Sequence, residues 1–105
     1  MSNQTNPMQQ ILSDERRLAI LRCLWKSPGH CANEEVLGKY LRQVALYGGC
    51  DATRSALDHL DRVGAVHTRM HLSLMVAELT RRGADAAEGC TELEGVPKVG
   101  ADCPY

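Results

Sequence analysis

The residues best suited to recognising a partner lie in CDATRSALDHLDR, positions 50–62. Arg54 can pair bidentately with a guanine edge, and Thr53 and Ser55 can contact bases or phosphates. Asp58 and Arg62 follow at helical spacing. Beyond them Arg69 and His71, and then Arg81 and Arg82, are placed to reach a phosphate backbone. The chemistry implied is non-covalent contact with double-stranded DNA through Thr53, Arg54, Ser55, Asp58, Arg62, Arg69 and His71. The charge of the stretch opposes it. Residues 50–64 hold two Arg and three Asp, a sum of −1, which repels phosphate. Arg54–Asp58 and Asp58–Arg62 are also i, i+4 pairs that can neutralise each other and leave a solvated face.

Other chemistries find less support. His30-Cys31 with Cys50, or His67 with His71, can be drawn as a zinc site, but zinc favours paired ligands at tight spacing and the chain has no CxxC. The five cysteines are odd in number and irregular in spacing, as free thiols of a reducing compartment would be. No phosphate loop, nucleophile elbow or H-E-x-x-H occurs. The expectation is a non-enzymatic chain with no catalytic residue, metal or cofactor.

The elements that must position these side chains follow from periodicity. A leader, 1–12, is expected to be flexible. Ser13 is a candidate cap for a first helix whose buried stripe is Leu18, Leu21, Leu24 and Trp25, widened by Ile20, with Ser27-Pro28-Gly29 as its stop. His30-Cys31-Ala32 then reads as a connector. Asn33 caps a second helix, with Glu34 and Glu35 in its first turn and Val36, Leu37, Tyr40, Leu41, Val44 and Ala45 on one face. Gly38 inside it suggests close approach of the first helix. Gly48-Gly49 is expected to end the second helix, and Asp51 to cap a third with Ala56, Leu57, Leu60 and Val63 inward.

Gly64 suits the left-handed position after a helix. From Ala65 the period falls to two, which predicts a two-stranded hairpin turning near Met70-His71. Thr80 caps a last short helix through Ala87, although Gly83 is unfavourable inside it. From residue 89 the chain is rich in Gly and Pro and without period. The predicted organisation is a leader (1–12), one domain (13–88) and an irregular acidic tail (89–105). The architecture is mainly α with a small β-hairpin: a winged helix-turn-helix with a three-helix core, a two-stranded wing and a short C-terminal helix.

Net charge is −1, with +2 over residues 1–87 and −3 over 88–105. Any positive field must therefore be local. No apolar run is long enough to cross a membrane, and the polar start MSNQTNPMQQ lacks a signal pattern. A cytoplasmic location is expected.

The order ERRLAILRCL, NEEVLGKYL, a glycine turn and RSALDHLDRVGAV resembles winged-helix proteins of the broad ArsR-like kind. LMVAELTRRGADAAEG followed by EGVPKVG is similar to a family of small proteins of Mu-like phages and prophages, with its Leu-Thr-x-x-Gly-x-x-x-Ala-x-Gly segment at Leu79 to Gly89. The first resemblance implies a DNA-binding, often dimeric, regulator whose third helix enters the major groove. The chain lacks the CxC pair of ArsR sensors, so metal sensing is not implied. The second resemblance implies phage origin and carries no established activity. A phage transcriptional regulator or DNA-handling protein, as a homodimer, is the leading expectation. An interaction or assembly adaptor bound to a phage protein, without DNA affinity, is the alternative.

Overall fold

At Gly64 the chain leaves helix for sheet, as the change of rhythm predicts. In a computed structural model, which describes residues 6–105, this residue has φ +83°. Three helices precede it: α1 (Pro7–Lys26), α2 (Glu34–Gln43) and α3 (Cys50–Arg62). A hairpin of β2 (Val66–His71) and β3 (Leu74–Leu79) follows, then α4 (Arg81–Ala87). A short strand, β1 (Cys31–Asn33), precedes α2. Among the described residues the protein is thus mixed α/β, with four helices and an antiparallel three-stranded sheet in the order β1-β3-β2. This arrangement is compatible with the expected class.

Several boundaries differ from expectation. Residues 1–5 of the expected leader lie outside the described residues, but 7–12 are helical. Asn6, not Ser13, caps α1 by accepting from the Met8 N–H at 2.9 Å, and Pro7 occupies the first turn. Asn-Pro is a helix-start signal that the later Ser13 obscured. The connector at 30–32 supplies β1, which pairs Cys31 with Glu78 and Asn33 with Val76. The hairpin turns at Leu72-Ser73, since Met70 still pairs with Met75 and His71 with Leu74.

The second helix stops before Gly48-Gly49. Ala45 takes φ +62°, its N–H donates to Arg42 O, and Leu46 N–H donates to Leu41 O at 2.7 Å. This is a Schellman ending with alanine where glycine is usual. Burial of Leu46 against the core helps offset the backbone cost. The α3 and α4 endings repeat the pattern with Gly64 and Gly89. Gly49, rather than Asp51, stands at the cap of α3, where no side chain caps it.

The core gathers Ile20, Leu21 and Leu24 of α1, Leu37 and Leu41 of α2, Leu57 and Leu60 of α3, and Val66. Each such side chain contributes about 2 kcal/mol by leaving water. Val36, expected inside, is 50% exposed. Gly38 admits the Tyr47 ring rather than α1. Gly83 proves necessary: a Cβ there would meet the Ala65 carbonyl and Leu79 Cδ1.

The segment 89–105 forms no helix or named strand, yet it packs on the body. Leu93 is buried, and Val96 and Tyr105 pack on the core. Its carbonyls lack a sheet or helix ladder, so side chains take their place. Arg17 Nε donates to Gly95 O at 2.8 Å and Arg22 Nε to Tyr105 O at 3.1 Å. The His59 ring bonds Glu94 O at 2.7 Å.

Candidate nucleic-acid interface

The sequence-predicted contact residues separate into three groups. Ser55, Asp58 and Arg62 are exposed together on the outer face of α3. Their spacing of three and four residues puts them on one stripe, which Asp51 extends by a turn. Arg62 enters no ion pair among the described residues, so the anticipated Asp58–Arg62 and Arg54–Asp58 pairs do not form. This stripe is the part of α3 open to a partner.

Thr53 belongs to the second group and is removed from any such contact. It is 2% exposed, and its hydroxyl donates to Gly49 O at 3.2 Å. The position lies three and four residues before Ala56 and Leu57, so it continues the inward stripe. That spacing is the sequence signal of an inward position, whatever the hydroxyl offers. Arg54 is likewise occupied. Its Nε and Nη2 donate to the two oxygens of Glu34 at 2.5 and 2.6 Å, and Nη2 also reaches Ser73 O at 3.1 Å. Glu34 was legible only as a first-turn acid of α2, since its partner is twenty residues away.

The third group, Arg69 and His71, projects from the sheet face opposite α3. Thr68 lies on the inner face, where its N–H and hydroxyl both donate to Asp61 of α3 at 3.1 and 2.5 Å. Alternation then turns His67, Arg69 and His71 outward. Arg69 stands 3.7 Å from Glu78 across the ladder, and both are well exposed. Exposed pairs of this kind hold weakly, so an anion could draw Arg69 away. Arg81 stands similarly 3.7 Å from Asp85.

Two carboxylates in this region are held ionised. The Arg54 guanidinium holds the Glu34 carboxyl below the usual carboxylate range, with help from the Met75 N–H. The Thr68 hydroxyl does the same for Asp61. Both therefore stabilise the fold above the ordinary carboxylate pKa, and that contribution fades as pH falls through their lowered values.

A cavity of about 500 Å³ opens between α2, the start of α3 and Leu74. Its lining holds Lys39, Arg42 and Arg54 together with Glu34, Glu35 and Asp51, so its walls favour neither sign. Tyr47 lines it too, with the Arg42 guanidinium 4.1 Å from its ring centroid and Cys50 Sγ 3.6 Å from its hydroxyl. That thiol contact pushes the Tyr47 phenol upward. Lys39 and Arg42 are exposed cations that the sequence reading passed over. No group of three or more His, Cys, Asp or Glu among the described residues is arranged to hold a metal ion.

Comparison with known proteins places the chain beside a phage protein. It is 33% identical over 91 residues to the uncharacterized protein gp26 of Escherichia phage Mu, a span covering 87% of this chain and 94% of that protein. The chain belongs to that Mu-like phage family. No family model and no solved structure matches it. Among the described residues no helix is long and apolar enough to cross a membrane. A span of that length in this chain includes both α3 and the hairpin.

Proposed function

We propose that the protein is a non-enzymatic winged-helix DNA-binding protein of a Mu-like phage, a homodimer acting in transcription regulation or DNA handling. The observation that carries this reading is the outer stripe of α3. It stands clear of the body behind a helix, a turn and a helix, and a hairpin stands beside it. That is the arrangement with which a recognition helix enters a major groove. Ser55 and Arg62 supply its donors, and Arg69 and His71 on the far face of the hairpin, with Lys39 and Arg42 on α2, offer further contacts to a phosphate backbone. With Asp51 and Asp58 on the same stripe, affinity must come chiefly from phosphate contacts at the edges.

The test is fluorescence anisotropy with a labelled duplex across a salt series. Binding that weakens steeply with salt, and weakens further in Arg62→Ala, is the expected result. Affinity at background level in low salt would remove the reading.

A second reading is an adaptor that binds another phage protein. It is favoured by the hairpin tip, where Leu72 is 90% and Met70 53% exposed. Co-purification of a phage protein, lost on replacing Leu72, distinguishes it from the first.

A further inference from the structure

We infer that Glu34 and Arg54 form a latch that fixes the hairpin on the α2–α3 pair, so that Arg54 is a positioning residue and not a reader of bases. The inference deepens the DNA-binding reading and rests on it only for its consequence on DNA; the latch itself is a property of the unbound protein.

The latch arises where β1 ends. That strand pairs with β3 as far as Asn33 and Val76. One residue further the chain turns into α2, and the next N–H of β3, that of Met75, loses its backbone partner. The Glu34 carboxylate takes that place, with Oε2 accepting from Met75 N–H at 3.1 Å. Both oxygens of the same carboxylate hold Arg54, whose Nη2 turns to the Ser73 carbonyl at the tip. Two side chains thus tie the start of α2, the first half of α3 and the tip of the hairpin to one another.

Glu34 is well suited to this role. Its side chain is only 12% exposed, against 42% for Arg54, and the fork of a guanidinium meets a carboxylate in fixed geometry. Lysine offers a point charge and no fork. Met70 and Leu72 are exposed rather than packed, so in the outer half of the hairpin the apolar contact with the core falls to Met75. The Thr68–Asp61 bonds secure its base and the latch secures its end. A guanidinium engaged in this way gives no bidentate face to guanine. A duplex would then meet a hairpin already set at a fixed angle to α3.

Hydrogen exchange of the DNA-free protein tests the latch directly. In Glu34→Ala and Arg54→Ala, amides of Ser73–Val76 are expected to exchange about tenfold faster or more, while Leu21 and Leu57 keep their protection. Arg54→Lys falls between. Wild-type rates at Met75 in both alanine variants overturn the inference whether or not the protein binds DNA. If all amides accelerate together in the alanine variants, Glu34→Gln, which keeps the shape of the side chain, decides by the same comparison. The DNA arm uses one selected and one random duplex. Positioning predicts that Glu34→Ala and Arg54→Ala weaken both duplexes by the same factor. A loss confined to the selected duplex in Arg54→Ala, or tighter binding in Glu34→Ala, overturns the assignment of Arg54.

Discussion

The tail-facing side of the molecule and the hairpin-facing side differ in what their charged residues mainly hold. On the first, Arg17, Arg22 and His59 reach backbone carbonyls of Gly95, Ala87, Tyr105 and Glu94, and Arg17 also holds Asp14. These bonds give irregular backbone the partners that a ladder would otherwise supply. On the second, Arg54 ends on a carboxylate, Arg62 ends in solvent, and Leu72 and Met70 stand in water. The difference shows why a count of Lys and Arg misjudges the field of this surface. Arginines that act as carbonyl donors are structural parts and are not offered to an anion. On the hairpin side Arg62, Met70 and Leu72 stay open to solvent.

The comparison breaks most visibly if the tail side is not closely packed. Gly83 is its tightest point, where α4 lies directly on the Ala65 carbonyl. That carbonyl already accepts from Thr80 N–H at 3.0 Å and from the Thr80 hydroxyl at 2.9 Å. Gly83→Ala is expected to cost about 3 kcal/mol in urea unfolding, at the upper end for overpacking, because the obstacle is backbone. A loss below about 0.5 kcal/mol would show that α4 is free to move.

The two sides should also fail at opposite ends of the pH scale. Burial, then the hydrogen bond to Glu15, pushes the Tyr105 phenol up to about 12. An unfolded tyrosine titrates near ~10. Because the folded protein holds the neutral form, this stabilisation is complete below ~10 and is lost as pH rises through about 12. Glu34 and Asp61 act in the other direction and release the hairpin in acid. Tyr105→Phe should flatten the alkaline slope of the urea midpoint and cost about 1–2 kcal/mol at neutral pH through its lost bond to a carboxylate. Its acid slope should match wild type. Equal changes at both ends would join the two sides into one unit.

The sequence revealed what depends on neighbours along the chain and concealed what depends on distant ones. The stripe from Leu18 to Leu24, the Gly64 ending, the alternation after Ala65 and the Thr80 cap are all local patterns, and the structure contains each. The partners of Arg22, at the end of α4 and in the tail, lie 65 and 83 residues away, beyond any periodicity. β1 is three residues long, too short to show alternation. In the candidate site, the exposure of Ser55, Asp58 and Arg62 followed from spacing. The commitment of Arg54 did not, because a first-turn glutamate has a complete local explanation as a partner of the helix dipole.

The smallest expected effect concerns the hairpin tip, where the two sides differ most in character. Leu72 has φ +57° while remaining almost wholly exposed. A left-handed backbone costs a non-glycine residue about 1–2 kcal/mol, and asparagine tolerates it better than leucine. Burial gives nothing back at this position, so Leu72→Asn should raise stability by about 0.5–1 kcal/mol, read as a higher urea midpoint at unchanged slope. Salt-dependent DNA binding should survive the change if phosphates hold the duplex, whereas a partner seated on the apolar tip would be lost. A lower midpoint would mean that Leu72 is supported by the folded body. The hairpin would then be as fully packed as the tail, and the contrast between the two sides would not hold.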